Sequence, residues 1–392
     1  MSSAEELINS LENISATSFS DEAERIRARD ALFAALRRVQ SPWEIAWDQN
    51  WTHGATNAAV KTFIDAGVFK KWIAGGGGAK RSAELADMTG MEEQLIRRLI
   101  RHLAGQHLVT EIAEDTYAPT PWCAALAASD PPLASVYGKF YADMAPTFIN
   151  LPSFLKHTGY RNPTDTRACN MQHWTKSDDD FFQHVARDPE LFSEFHDAME
   201  CHSRFNLTPW PKVYPTETIV ANAKPGRALV VDVGGSKGHD LEKFRLCHPE
   251  IPEGSLILQD LPGILAEVKL HKVIEPQVYD FFTPQPVKGA RVYFMHNVLH
   301  DWTDEVAVQI LKNVAGGMER GYSRMLIHES LVSNVKPLAR VTTSDLTMMA
   351  ILAAKERSEN EWRALVEEAG LKIIKIWRPA QSVESVIEAE LA

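Results

Sequence analysis

The amino-acid sequence predicts an α/β protein, with a mostly parallel sheet in its C-terminal part and helices before it. From residue 216 onward, short apolar runs alternate with helical stretches, which is the rhythm of βαβ units. One run, at 228–233, carries consecutive apolar residues, as expected for a strand buried on both faces. It leads into a glycine turn and then into a helix, which is where parallel sheets place their ligands.

Size and composition set bounds on this fold. A chain of 392 residues allows two or three domains. With 45% hydrophobic and 24% charged residues it resembles an ordinary soluble globular protein, and its formal charge of −11 argues against a general nucleic-acid binder. There is no long apolar run, no secretory signal and no CxxC pair among the four cysteines. We therefore expect a reduced, cytoplasmic protein without a metal site and without nucleic-acid or membrane partners.

The first predicted helix begins near Ser20. Ser20 is a suitable N-cap, acidic residues follow in the first turn, and Arg37 and Arg38 suit the negative end. An apolar stripe that includes Phe33 and Leu36 runs along this helix. The stripe belongs either to the core or to a dimer seam, and the sequence leaves both open.

Residues 57–119 predict a helical unit closed by a β-hairpin. The order helix, turn, helix and hairpin (108–110 with 116–118) is typical of a winged-helix domain. Arg97, Arg98 and Arg101 on the longer helix could contact DNA, or they could form a solvated face on a domain used for dimer contacts. The acidic chain and the ligand site further along favour the second interpretation.

Two helical stretches in residues 131–205 are crowded with large apolar groups, such as Phe140 and Met144 in the first and Phe181 and Met199 in the second. Aromatic and methionine side chains at helical spacing usually form core. Some of them must still face whatever enters the ligand site.

In the last part of the chain, strands and helices alternate. The predicted strands are 229–233, 256–259, 292–295, 325–328, 371–377 and 383–387, and the predicted helices include 305–318 and 359–369. The glycine turn after the first strand has the pattern D-x-G-G-x-x-G. It is neither the dinucleotide fingerprint G-x-G-x-x-G nor a phosphate-binding loop. Taken alone, it predicts either a nucleotide site or merely a tight strand-to-helix turn.

Acidic residues recur at the ends of these predicted strands. Asp260 is placed to accept ribose hydroxyls, and Asp280 with Phe281 could present polar and aromatic groups to a base. Each acid could equally be a helix cap. His300 follows the third strand and is a candidate general base, and Glu329 and Glu356 could meet it in space.

The motifs of this part resemble one known family. In order they are D-V-G-G-x-x-G, Q-D-L-P, D-F-F, L-H-D-W-x-D-E, H-E-S and D-L-x-M-M-x(5)-K-E-R-S-x-x-E-W-x-x-L. The sequence is similar to the plant and fungal small-molecule O-methyltransferases, which use S-adenosylmethionine. The resemblance is specific over residues 228–378 and looser over the rest of the chain.

The resemblance implies a Rossmann-like S-adenosylmethionine-dependent methyltransferase domain at 216–392. It also implies an N-terminal helical and winged-helix dimerisation domain at 1–125 and a helical substrate-pocket segment at 126–215. A homodimer is expected, acting on a small aromatic or polyketide-like molecule. The implied catalytic residues are His300 as general base, with Glu329 and Glu356. The implied cofactor-binding residues are Asp232, Gly234, Gly235, Asp260, Leu261, Asp280, Phe281, His296 and Ser203. The implied substrate-binding residues are Phe140, Met144, Met199, His202, Met348 and Met349.

Two positions depart from the family pattern. Ser236 stands where a third glycine is usual, and His296 stands where plant members usually carry lysine. The leading hypothesis is methyl transfer to a phenol or enol of a secondary metabolite. One alternative is a dehydratase or pericyclase that binds the cofactor without transferring its methyl group, and another is a DNA-binding metabolite sensor.

Overall fold

The computed structural model describes residues 3–205, 208–266, 268–379 and 384–392. By its internal contacts the chain divides into two compact units, one ending at Ala59 and the other beginning at Val60. The predicted boundaries at 125 and 215 do not coincide with this division, and the three-domain scheme stays a prediction.

The first unit is helical. Its elements are α1 (Ser3–Glu12), a 3₁₀ turn (Ala16–Ser18), α2 (Glu22–Val39), α3 (Pro42–Trp47), a π-helical turn (Asp48–Thr52) and the start of α4 (His53–Asp65). The predicted cap of α2 was wrong by one residue, because the side chain of Asp21, not Ser20, accepts the backbone N–H of Glu24. Ser20 instead donates its N–H and hydroxyl to the Glu24 carboxylate. No residue of α2 is buried, and its predicted apolar stripe lies exposed.

The second unit begins with the elements predicted for 57–119. They are α5 (Val68–Ala74), β1 (Lys80–Arg81), α6 (Ser82–Thr89), α7 (Glu93–Gly105), β2 (Val109–Ala113) and β3 (Thr116–Pro119). The three strands form an antiparallel sheet in the order β1-β3-β2. Arg97 of α7 pairs with Asp115 of the hairpin turn, with an Nη2–Oδ2 distance of 3.2 Å. The helices and the hairpin are present, and their use as a winged-helix dimerisation domain stays a prediction.

A helical segment follows, containing a 3₁₀ turn at Leu133–Tyr137. Its helices are α8 (Pro121–Ala127), α9 (Lys139–His157), α10 (Asn170–Thr175), α11 (Phe181–Ala186), α12 (Pro189–Arg204), α13 (Trp210–Val213) and α14 (Glu217–Ala221). Met144, Met171 and Phe181 share one buried cluster with Met348. Many of the aromatic and methionine residues of this segment are therefore core, as their helical spacing indicated.

The rest of the second unit is the predicted α/β domain. Its elements are β4 (Val230–Val233), α15 (His239–Cys247), β5 (Leu256–Asp260), α16 (Pro262–Leu265), β6 (Ile274–Val278), β7 (Val292–His296), a 3₁₀ turn (Leu299–Asp301), α17 (Asp304–Ala315), β8 (Arg324–Val332), α18 (Ala339–Leu352), β9 (Arg357–Ser358), α19 (Glu359–Glu368), β10 (Leu371–Trp377) and β11 (Glu384–Leu391). The described residues form an eight-stranded sheet in the order β10-β11-β8-β7-β4-β5-β6, with the short β9 beside β8.

The sheet is parallel except at β11, which runs antiparallel to both of its neighbours. Buried clusters of apolar side chains cover its two faces. Sequence analysis missed β6, whose residues Glu275 and Pro276 break an apolar pattern. The last strand was predicted from Val383, which lies outside the described residues. The strand order reverses beside β4, and such a reversal opens a crevice at the carboxyl ends of the strands.

None of the described helices combines the length and the apolar character needed to span a membrane.

Candidate active site

The turn after β4 has a backbone that only small residues permit. Gly234 has a φ of +73°, in the left-handed region that favours glycine. A Cβ on Gly235 would lie 2.4 Å from Oδ2 of Asp232 and 2.5 Å from a methyl carbon of Leu258. The departure at Ser236 is accommodated at a φ of +51°. The backbone of the turn therefore remains accessible to a ligand, although Ser236 replaces the third glycine of the family pattern.

Asp260, at the end of β5, faces this turn. Its Oδ2 accepts the backbone N–H of Ser236 at 2.8 Å, and its Oδ1 accepts that of Leu261 at 2.7 Å. Burial raises the pKa of Asp260, and these two N–H groups oppose the shift. Each carboxylate oxygen keeps a further lone pair, so a ligand lying over the turn can still donate to it. Leu261 is half exposed at the same edge.

Asp232 supplies an unsatisfied polar atom under the turn. The residue is buried, and its Oδ2 has no hydrogen-bond partner among the described residues. Burial and the nearby charge of Asp240 hold its pKa well above the usual value. An orphaned buried carboxyl oxygen is costly, so this atom favours a polar ligand group beside the turn.

Aromatic residues close the other side of the turn. A Cβ on Gly234 would lie 3.9 Å from the ring of Phe281, which follows Asp280 at the end of β6. The rings of Phe281, Phe282 and Trp302 pack edge to face, with centroids 5.1 to 5.9 Å apart. Sequence analysis gave Trp302 no role, although it stands inside the L-H-D-W motif.

His300 lies in the 3₁₀ turn after β7, surrounded by carboxyl groups. We call His300, Asp301, Glu329 and Glu356 the base cluster. Nδ1 of His300 is 3.0 Å from Oε1 of Glu356 and 3.7 Å from Oε2 of Glu329, and Nε2 is 3.5 Å from Oδ1 of Asp301. The structure therefore brings together the three residues predicted for catalysis, which are separated by 56 positions in sequence.

Charges in the base cluster spread its pKa values across the neutral and alkaline range. Burial lowers the pKa of His300, but Glu329, Asp301 and Glu356 outweigh it and raise that pKa to about 10. Burial raises the pKa of Glu329 to about 7 and that of Asp301 to about 6, against the opposing charge of His300. Asp301 and Glu329 can thus gain or lose a proton near neutral pH, and His300 does so at alkaline pH.

Two further contacts fix the turn that carries His300. Oε1 of Glu329 accepts the backbone N–H groups of Val298, Leu299 and His300 at 3.1, 2.9 and 3.3 Å. From the opposite side, the buried guanidinium of Arg357 donates to the carbonyl oxygens of Leu299 and Trp302 and to the Asp304 carboxylate. Arg357 also escaped sequence analysis, although it adjoins Glu356 in the K-E-R motif.

A second imidazole cluster lies at the same edge of the sheet. We call His296, His328, Asp240 and Glu384 the histidine-pair cluster. Nδ1 of His296 is 2.6 Å from Oδ2 of Asp240, and Nε2 is 3.0 Å from Oε2 of Glu384. Both ring nitrogens of His296, predicted to contact the cofactor, are therefore occupied by protein carboxylates. Neither His328 nor Glu384 had been singled out, because they come from distant strands and share no local motif.

The histidine-pair cluster holds fixed charges. Burial lowers the pKa of His296, but Asp240 and Glu384 outweigh it and hold that pKa well above the usual value. Burial raises the pKa of Asp240 and of Glu384, but the charge of His296 outweighs it and leaves both well below normal. For His328, burial and the neighbouring His296 lower the pKa to about 3.

The predicted pocket residues are distributed between core and surface. Met144 and Met348 are buried in the cluster against which Phe140 packs. Met199 is 38% exposed and Met349 is half-buried. His202 of α12 reaches the sheet instead, with its Nε2 3.1 Å from Oε1 of Glu384. Ser203 accepts a hydrogen bond from Nζ of Lys243 at 2.9 Å.

Comparison with known proteins decides the family. A family model described as an O-methyltransferase domain matches residues 171–372. The O-methyltransferase mfmE of Annulohypoxylon moriforme is 36% identical over 390 residues, covering 100% of this chain and 96% of the relative. The chain belongs to the O-methyltransferase family. It is an O-methyltransferase that uses S-adenosylmethionine, and its α/β fold is the one that the sequence predicted.

Solved structures agree with this assignment. A protein described as a pericyclic reaction enzyme superposes with a TM-score of 0.89 at 27% identity, covering 99% of each chain. OxaC in complex with S-adenosylhomocysteine (SAH) and oxaline superposes with a TM-score of 0.81 at 26% identity, covering 98% of this chain and 96% of that one. The open glycine turn, the orphaned Asp232 oxygen and the available Asp260 lone pairs all fit a bound S-adenosyl group.

Proposed function

We propose that this methyltransferase acts on a phenolic or enolic hydroxyl of a secondary metabolite, with His300 as the general base. The observation that carries the proposal is the base cluster at the carboxyl edge of the sheet. Oε1 of Glu356 lies 3.0 Å from Nδ1 of His300, so Nε2 is the ring nitrogen that would remove the proton of the substrate hydroxyl. The carboxylates beside the ring stabilise the imidazolium that results.

The pKa of the base supports a weakly acidic acceptor. Carboxylates raise the pKa of His300 to about 10, and an ordinary phenol also has a pKa of about 10. Proton transfer between two groups of matched pKa is close to thermoneutral, and the neutral form of His300 that accepts the proton becomes more abundant as the pH rises toward that value. A carboxylic acid substrate would need no such base, since it is already ionised at neutral pH.

We assign the cofactor contacts from the family resemblance, and the open geometry of the turn supports them. Gly234 and Gly235 leave room for the methionine end, Asp260 accepts from the ribose, and Asp280 with Phe281 borders the adenine. When bound, S-adenosylmethionine would supply the methyl group carried by its positively charged sulfur. Transfer of that methyl group to the acceptor oxygen would convert the cofactor into S-adenosylhomocysteine. The protein's own part is to place the acceptor hydroxyl beside His300 and to take its proton.

The cofactor assignment is tested by replacing Asp260 with alanine. Loss of a hydrogen bond to a charged group costs about 1.5–3 kcal/mol, so the Kd for S-adenosylhomocysteine should rise about 10- to 100-fold. Calorimetric titration measures it. The matched control is Asp345→Ala, in α18, whose carboxylate accepts the backbone N–H of Glu356 and not one from the glycine turn, and it should leave the Kd unchanged. An unaltered Kd in Asp260→Ala would remove this residue from the ribose role.

The activity itself is tested with a panel of phenolic and pyridone acceptors followed by mass spectrometry. The proposal expects a product heavier by one methyl group for each S-adenosylhomocysteine released. Methylation confined to carboxylic acid acceptors would contradict the proposed target.

A second candidate function is ring closure or dehydration with the methyl group retained. The similarity to a protein described as a pericyclic reaction enzyme, at a TM-score of 0.89, is the observation in its favour. The same assay separates the two. An isomerised or dehydrated product, formed without S-adenosylhomocysteine, would replace methyl transfer by this second function.

We also propose that the chain forms a homodimer, as the family resemblance implied, and that it is cytoplasmic, as its scattered cysteines without a CxxC pair indicated. The first unit leaves large apolar side chains exposed, among them Trp43, Trp47 and Trp51, whose rings pack 5.0 to 6.1 Å apart. A second copy of the chain would cover this face. Sedimentation should give a dimer mass that falls to that of one chain in Trp47→Glu, and a monomeric wild type would refute the dimer.

A further inference from the structure

The histidine-pair cluster has ligand atoms from three strands that meet at one point. Nε2 of His296 lies 3.0 Å from Oε2 of Glu384, and Nε2 of His328 lies 3.6 Å from the same oxygen. The three donor atoms lie within 4.8 Å of one another. Metal–ligand bonds of about 2.0–2.1 Å in a tetrahedral site put neighbouring ligand atoms roughly 3.3 Å apart. The two measured distances lie on either side of that value.

One member of this cluster is unsatisfied. The side chain of His328 is 1% exposed, and neither ring nitrogen has a hydrogen-bond partner among the described residues. Buried polar groups are nearly always paired, so an imidazole with two idle nitrogens calls for an explanation. Its Nε2 faces the Glu384 carboxylate at a distance too long for a hydrogen bond and suitable for a shared ion.

The surrounding groups are those that orient a metal-binding histidine. Asp240 holds Nδ1 of His296 at 2.6 Å, which fixes the ring and turns Nε2 toward Glu384. This carboxylate–histidine pairing is the usual outer support of a metal ligand. His202 contacts the other oxygen of Glu384 at 3.1 Å, and its side chain is 38% exposed. Only the partly exposed side chain of His202 therefore separates Glu384 from solvent on this side, and an ion could reach the cluster past it.

We propose that His296, His328 and Glu384 bind one divalent transition-metal ion with the ligand preference of zinc. Two imidazole nitrogens and one carboxylate oxygen form a set that zinc accepts, with a fourth position left for water. The ion would join β7, β8 and β11. Through Asp240 it would also brace α15, directly after the glycine turn. Sequence analysis expected no metal, because these ligands are 32 and 56 positions apart.

The base cluster is the natural comparison, since His300, Glu329 and Glu356 also bring three potential ligands together. Its histidine is already engaged, however, because Nδ1 of His300 lies 3.0 Å from Oε1 of Glu356, whereas neither ring nitrogen of His328 has a hydrogen-bond partner among the described residues. Oε1 of Glu329 accepts three backbone N–H groups, and Oε1 of Glu356 accepts the Ser344 hydroxyl at 2.5 Å and contacts His300. The base cluster therefore provides a matched control within the same protein.

The test is titration of the full-length, untagged and chelator-treated protein with Zn²⁺ by calorimetry, and with Co²⁺ by visible absorption. We expect one ion per chain and a cobalt band of tetrahedral type. His328→Gln and His296→Gln should each weaken binding at least tenfold. Glu356→Gln, and His173→Gln in α10, where the ring contacts Asn150, should leave binding unchanged. Circular dichroism establishes that each variant is folded, and using two ligand variants guards against failure of either one.

Three outcomes would overturn the proposal. They are the absence of stoichiometric binding by the wild type, undiminished affinity in whichever of His328→Gln and His296→Gln is folded, and loss of binding in Glu356→Gln. The readout is ion binding alone, so a failure of this proposal is distinct from a failure of methyl transfer.

Discussion

The base cluster and the histidine-pair cluster lie at the same edge of one sheet, yet they differ in which of their ring nitrogens and carboxylate oxygens already have hydrogen-bond partners. In the histidine-pair cluster, both nitrogens of His296 are held by carboxylates with pKa values far below normal. In the base cluster, Oε2 of Glu329 and Oε2 of Glu356 have no hydrogen-bond partner among the described residues. In the histidine-pair cluster the charged His296 is therefore paired on both sides, whereas the base cluster keeps unpaired carboxylate oxygens beside the titratable His300.

This difference shows that a histidine near an acid does not by itself mark a catalytic base. Pairing on both sides removes a ring from proton transfer, whereas pairing on one side orients it and leaves the other nitrogen available. His300 meets the second condition, because its Nε2 lies 3.5 Å from Oδ1 of Asp301 without a hydrogen bond to it, and His296 meets the first.

The largest expected effect comes from removing the base. His300→Ala should lower kcat by about 10²- to 10⁴-fold, which is what general-base catalysis contributes, while the Kd for S-adenosylhomocysteine stays within experimental error. His328→Gln, at a buried histidine of the other cluster, is the matched control and should keep most of the activity. Steady-state kinetics and calorimetry measure both quantities. Equal losses of kcat in the two variants would erase the distinction between the clusters.

The next effect concerns the arginine that grips the His300 turn. A lysine cannot reproduce the three-way contact of the Arg357 guanidinium. Because Arg357 orients the turn that carries His300, Arg357→Lys should misplace the base and lower kcat about tenfold, which corresponds to about 1.4 kcal/mol of activation free energy. Arg363→Lys changes an exposed arginine of α19 that pairs with Glu359, and it should have no effect. If kcat survives intact in Arg357→Lys, the turn is held by Glu329 alone.

The pH dependence sharpens the comparison further. Neutral His300 is the active base and its pKa is raised to about 10, so kcat should rise with pH toward that value. Glu356→Gln removes a negative charge that favours the imidazolium. The pKa of His300 should then fall, and the rising limb of the profile should move to lower pH by about one unit. The control is Glu361→Gln, which removes a carboxylate in the first turn of α19 that pairs with Lys355 and should leave the profile in place. A profile that does not move in Glu356→Gln would contradict the role given to Glu356.

The smallest effect is on stability. His328→Leu removes an unpaired buried imidazole, so the free energy of unfolding of the metal-free protein should increase by about 1–3 kcal/mol, which is a few degrees in Tm. Added Zn²⁺ should raise the Tm of the wild type and leave that of His328→Leu unchanged. His248→Leu loses a contact of 2.8 Å with Thr216 and should be destabilising instead. A lower Tm for metal-free His328→Leu would mean that His328 is satisfied in a way the distances do not reveal.

The sequence by itself determined the class of the fold, and it predicted three of the four members of the base cluster (His300, Glu329 and Glu356) but not Asp301. Strands such as β4 and β7 are mostly apolar, and the glycine turn, Asp260 and His300 lie at the carboxyl ends of such strands or a few residues beyond them. Those placements depend on local patterns and on the rule that parallel strands end at one edge. Glu329 and Glu356 were candidates from their positions in the sequence, the family motifs implied their catalytic role, and the structure shows both carboxylates beside His300.

Only the tertiary structure decided which groups pair across the sheet. Glu384 approaches His296 and His328 because β11 runs antiparallel beside β8, and Asp240 reaches His296 because α15 begins under the glycine turn. Trp302 and Arg357 likewise gain their roles from contacts between segments far apart in sequence. The distance between paired groups, their burial and the hydrogen-bonding atoms left without a partner all depend on packing. No local sequence pattern could therefore have distinguished an imidazole with both nitrogens paired from one with a nitrogen available for proton transfer.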